Sequence, residues 1–137
     1  MDRVFLDANI LFSAAYRSGS PLRQLWALTD VELLSSPFAV QEAQTNLSRA
    51  RPSQLPDLSV LLSATTLIAD PPPGTILPGG VQLPQKDAPI LLSAIAGKST
   101  HLLTGDVKHF GPYFGSSIVG VLILRPGDYI KSRQLAP

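Results

Sequence analysis

The chain has 137 residues, 45% of them hydrophobic and 15% charged, with a formal net charge of +1. That balance excludes a disordered chain and fits one well-buried α/β core. Bulk charge does not select a polyanion, so any nucleic-acid contact must use a local patch, and with no cysteine there is no disulfide, thiol nucleophile or Cys-ligated zinc.

Asp2 and Asp7 bracket only four residues, too few for a signal peptide. No apolar run approaches the roughly 18 residues of a spanning helix. The expectation is a cytoplasmic protein with no membrane contact.

Arg3 to Leu6 read as a short buried strand that ends on Asp7. Asp7-Ala8-Asn9 then caps a helix with Ile10, Leu11, Ala14 and Ala15 as its apolar stripe. Arg17 to Ser20 break it. Ser20-Pro21 restarts an amphipathic helix carrying Leu22, Leu25, Trp26 and Leu28. Val31 to Leu34 read as the second strand.

Ser36-Pro37 opens the next helix, with Phe38, Val40, Ala43, Leu47 and Ala50 as its apolar set. Glu42, Asn46 and Arg49 share its polar stripe. Arg51-Pro52 ends it, and Gln54 to Thr65 form a helix with Leu58, Leu61 and Leu62 inward. Thr66 to Ala69 supply a third short strand. Pro71-Pro72-Pro73-Gly74 and Pro78-Gly79-Gly80 make 70–84 a surface loop.

Gln85 to Gly97 read as a helix with Asp87 at its start. His101 to Thr104 form a strand that ends on Gly105-Asp106. A turn-rich stretch follows from Phe110 to Ser117. Val119 to Leu124 form the last strand, and Pro126 to Gln134 a terminal helix. Strands alternating with helices argue for a parallel sheet covered on both faces.

Two strands thus end alike, on Asp7 and Asp106. In a parallel sheet both ends lie on one rim. A crossover helix begins at that rim, which places Asp87 there, and Glu42 lies in an early turn of a helix leaving the second strand. Four of the ten acidic residues then share one end of the sheet. Crowded carboxylates raise one another's pKa or recruit a cation, and hard ions such as Mg2+ or Mn2+ prefer oxygen ligands.

Val4-Phe5-Leu6-Asp7-Ala8-Asn9-Ile10-Leu11, Glu42, Lys86-Asp87-Ala88-Pro89-Ile90-Leu91 and Leu102-Leu103-Thr104-Gly105-Asp106-Val107-Lys108-His109-Phe110-Gly111 together resemble the PIN-domain nucleases. This family includes the toxin ribonucleases of toxin–antitoxin pairs. The resemblance spans nearly the whole chain. It implies a single three-layer α/β/α domain over 1–137, with a central parallel sheet of four or five strands. It implies a Mg2+- or Mn2+-dependent endoribonuclease acting on single-stranded RNA. Asp7, Glu42, Asp87 and Asp106 match the metal-binding acids, and Asn9 and Thr104 match supporting polar positions.

Taken singly, these residues have plainer readings. Asp7 is a helix cap, Asp106 a turn residue, Asp87 a first-turn acid favoured by the helix dipole, and Glu42 a solvated helix face. Arg17, Lys86, Lys108 and His109 are either solvated charges or contacts to a phosphate backbone. Trp26, Phe38 and Phe110 read as core rather than as base-stacking platforms. Tyr113 and Phe114 read as core or as stacking platforms. The apolar faces at 20–29 and 54–65 serve the core, a homodimer or an antitoxin. Two other functional classes stay open: a non-catalytic RNA- or protein-binding domain, and a Mg2+-dependent phosphatase. Asn rather than Asp at position 9 weighs against the second.

Overall fold

The computed structural model describes residues 1–134. Its strands are β1 (Asp2–Leu6), β2 (Val31–Ser35), β3 (Thr66–Leu67), β4 (His101–Leu103), β5 (Ser117–Ile118) and β6 (Val121–Leu124). They form one sheet in the order β3–β2–β1–β4–β6–β5. Four pairings join β3, β2, β1, β4 and β6 in parallel. The expected parallel sheet is therefore present with five strands, and β5 adds a sixth, antiparallel to β6. The sequence predicts one strand from Val119 to Leu124. Instead, Val119 and Gly120 both take positive φ, 49° and 82°. Two such residues make the tight turn that matches strand twist in a hairpin.

The helices are α1 (Ala8–Tyr16), α2 (Pro37–Ala50), α3 (Leu55–Ser63), α4 (Ala88–Ala96), α5 (Val107–Phe110) and α6 (Pro126–Gln134). Successive strand residues point to opposite faces, and both faces are covered. Val4, Leu6, Leu33 and Leu103 pack with α1, α2, α3 and Tyr129 of α6. Phe5, Leu34, Leu102 and Ile123 pack with Ile90, Leu91 and Ala94 of α4 and with Phe110.

Three local expectations change. Residues Pro21–Ala27 form a 3-10 helix, not an α-helix. Three residues per turn align Leu22, Leu25 and Leu28, all of which pack on the core. In α2 the buried stripe is Ala39, Ala43 and Leu47, a spacing of four that leaves Ala50 exposed. Of the 54–65 set Leu58 and Leu61 are buried while Leu62 is only half-buried, and Leu22, Trp26 and Leu28 likewise pack half-buried against the core.

The proline-rich loop is anchored. Leu77, Val81 and Leu83 pack against the second cluster. The Tyr113 hydroxyl accepts the Gln82 amide at 2.7 Å and donates to the Gln82 carbonyl at 3.2 Å. Tyr113 is thus a loop clamp, and Phe114 lies under the Arg125 guanidinium, 5.8 Å from ring centre. Among the described residues no helix is long and apolar enough to cross a membrane.

Candidate metal centre

The sheet places the ends of β1 and β4 side by side. Leu6 pairs with Leu103, and the Asp7 amide donates to the Leu103 carbonyl at 3.1 Å. From β1 the chain proceeds to β2 on one side; β4 lies on the other. The crevice between them is a topological switch point, where open α/β sheets bind ligands.

Asp7 caps α1 with one oxygen and faces the crevice with the other. Its Oδ1 accepts the Ala8 amide at 2.7 Å. Its Oδ2 accepts from Thr104 Oγ1 at 2.9 Å and from Asn9 Nδ2 at 3.3 Å. Thr104 Oγ1 in turn accepts the Asp106 amide at 3.1 Å, and Asn9 Oδ1 accepts the Gly105 amide at 2.9 Å. The two rim loops are stitched together by these uncharged side chains.

Asp106 divides its oxygens in the same way. Oδ1 accepts the His109 amide at 3.0 Å and so caps α5, while Oδ2 lies 2.9 Å from His109 Nδ1. Asp87 does not follow suit. It occupies the N-cap position of α4 yet makes no capping hydrogen bond. Its Oδ2 lies 3.0 Å from the same His109 Nδ1 but is buried without a hydrogen-bond partner. Nδ1 makes its hydrogen bond to Asp106, which leaves Asp87 Oδ2 without one. One ligand atom from each of Asp87, Asp106 and His109 lies within 4.8 Å of the others.

Electrostatics link all four acids. Burial, opposed by the Thr104 and Ala8 hydrogen bonds and reinforced by the charges of Glu42 and Asp87, pushes Asp7 up to about 6. Burial and the Asp106 charge raise Asp87, against the opposing charges of His109 and Lys86. Burial alone would raise Asp106 too, but the hydrogen bonds from His109 and the charges of His109 and Lys86 bring it below the usual range.

The expected residues therefore separate. Asp87 and Asp106 converge, joined by His109, which the sequence offers only as a solvated charge or a phosphate contact. The signal was the i, i+3 spacing of Asp106 and His109 across one helical turn. Asp7 and Glu42 are outside this tight group; Glu42 is exposed on α2 and reaches Asp7 only through its field. Asn9 and Thr104 support the rim. Lys86 and Lys108 are exposed beside it. Arg17 is not there: it follows the last residue of the nine-residue α1, whose first turn is at the rim, and so lies about 13 Å of helix away.

Two carboxylates sharing one imidazole, one of them with an oxygen starved of donors, fit a hard divalent cation. Leaving a buried acceptor unsatisfied costs about 1–3 kcal/mol, and more if it is charged. A cation offsets that penalty and the like-charge repulsion together.

No family model matches the sequence, and no curated protein matches it. Among solved structures, a chain of VapBC2 from Rickettsia felis, crystallised bound to a DNA fragment from their promoter, superposes with a TM-score of 0.64. The alignment covers 90% of this chain and 98% of that one, at 18% identity. The fold is PIN-like. Within it the crevice between β1 and β4 carries the acid cluster, and the five parallel strands supply the rim.

Proposed function

We propose that this chain is a Mg2+- or Mn2+-dependent endoribonuclease, a single PIN-type domain that hydrolyses phosphodiester bonds of single-stranded RNA. The observation that carries the reading is Asp87 Oδ2, buried and unpartnered beside Asp106 and His109 at the switch point. The residues that would hold the ion are Asp87 and Asp106, with His109 as an added donor and Asp7 and Glu42 completing the negative field. When bound, such an ion supplies charge neutralisation to phosphodiester oxygens and lowers the pKa of water. Thr104 and Asn9 keep Asp7 aimed into the crevice. Lys86 and Lys108 orient the backbone of the strand. Both Asp7 oxygens already accept hydrogen bonds, which supports water over Asp7 as the nucleophile. The same observation disfavours a phosphatase that attacks through this residue.

The likeness to VapBC2 supports a toxin role, with an antitoxin protein as partner and a dimeric assembly. The test is direct. With Mg2+ the protein should cleave single-stranded RNA, EDTA should stop it, and Asp7→Asn and Asp106→Asn should each lose about a hundredfold or more, the scale of a lost transition-state contact. Undiminished cleavage by both variants would overturn the assignment. Turnover of small phosphoesters without cleavage of RNA would redirect it to a phosphatase.

A further inference from the structure

Phe38 lines two grooves at once. The larger, about 710 Å³, runs between the start of α2, the Pro71–Thr75 turn and the first turn of α4. The smaller, about 340 Å³, continues along α2 past Gln41, Glu42 and Asn46. Phe38 and Glu42 are four residues apart on α2 and share a face. Lys86 and Ala88, which line the larger groove, flank Asp87. The two grooves therefore meet at Phe38 and run beside the carboxylate rim.

Phe38 is half-buried: it packs against the second core cluster and lines both grooves. Its backbone amide donates to Asp70 Oδ1 at 3.1 Å, which pins the start of the proline-rich loop to the start of α2. The groove wall is thus held beside Phe38. The lining of the larger groove has one charged side chain, Lys86, and besides Phe38 the remainder is proline, small residues, Leu92 and the amide of Gln85, while Glu42 lines the smaller groove. Flat apolar faces with a single cation and a hydrogen-bonding amide match a nucleotide: base, phosphate and base edge in turn. An uncharged apolar peptide would leave Lys86 without a counter-charge.

We infer that Phe38 is a base-stacking platform, and that the groove between Phe38, the Pro71–Thr75 turn and Lys86 takes a nucleotide of single-stranded RNA flanking the phosphodiester presented to Asp87 and Asp106. This rests on the ribonuclease reading and adds a subsite to it. It also explains the length of the proline-rich loop, which builds one wall.

The experiment is anisotropy of a labelled single-stranded RNA octamer in EDTA, where binding is read without cleavage. Phe38→Leu keeps an apolar side chain but removes the aromatic face, and should weaken binding about tenfold. Lys86→Gln should lower the salt dependence of log Kd by about one counterion. Phe38→Trp should bind like the parent, and its indole emission should change on saturation, against a parent control for Trp26. A folded Phe38→Leu variant with parental affinity, alongside intact cleavage by the parent protein, overturns this inference alone. Should Phe38→Leu not fold, Phe38→Trp emission unmoved by saturating RNA overturns it. A parent protein that neither binds nor cleaves RNA removes the ribonuclease reading first, and the subsite with it.

Discussion

Thr104 Oγ1 donates to Asp7 Oδ2 across 2.9 Å, joining residues 97 apart in the chain. The same oxygen accepts the Asp106 amide. Thr104→Val preserves shape while stripping Asp7 of a donor and leaving the Asp106 amide against a methyl group. Urea denaturation should show a loss of about 1–3 kcal/mol. Calorimetric titration should show weaker Mg2+ binding. Thr104→Ser should recover most of both.

Asp7 makes the metal-free protein pH-sensitive in a definite direction. Its pKa is raised from 3.8 to about 6 by burial first, then by the Glu42 and Asp87 charges. Between those values the folded state holds a proton that the unfolded chain has released. Stability from this group is fully present below about pH 4 and is lost as pH rises through about 6. The size is on the order of 3 kcal/mol, for a shift of about two units. In EDTA, Asp7→Asn should therefore flatten the profile across this window and be the more stable protein at pH 7.5. Added Mg2+ should stabilise the parent more than the variant.

His109 Nδ1 stands 2.9 Å from Asp106 and 3.0 Å from Asp87. His109→Phe keeps a ring of similar size and removes the nitrogen. Mn2+ affinity, read by calorimetry or by the loss of free-ion signal in electron paramagnetic resonance, should fall about tenfold or more. Unchanged affinity would limit His109 to a packing role beside the two acids.

Tyr129 provides a control on the opposite rim. It is buried, and its hydroxyl donates to Asp2 Oδ2 at 2.7 Å, an oxygen that Arg133 also reaches at 3.3 Å. Together they fasten α6 to the start of β1. Tyr129→Phe should cost about 2 kcal/mol of stability, a hydrogen bond to a charged group. RNA cleavage per folded molecule should not change.

Much of this arrangement is written locally. The run Val4-Phe5-Leu6 ending on Asp7 announces a buried strand and its cap, and Ser36-Pro37 announces a helix start. Both are realised because propensity and capping act within a few residues. The order of Asp7, Glu42, Asp87 and Asp106 along alternating strands and helices points towards one rim, where Asp87 and Asp106 converge with His109. What the chain does not spell out is which elements become neighbours. Only the pairing of β1 with β4 brings Thr104 to Asp7, and only the seating of α4 and Phe110 in one core cluster leaves Asp87 Oδ2 facing His109. Tertiary packing also closes Tyr113 onto the proline-rich loop and leaves Phe38 half-buried beside it. Periodicity specifies a face for each segment. Which partner covers that face, and which side chain is left uncovered, depends on contacts between residues tens of positions apart, and those exist only in the folded chain.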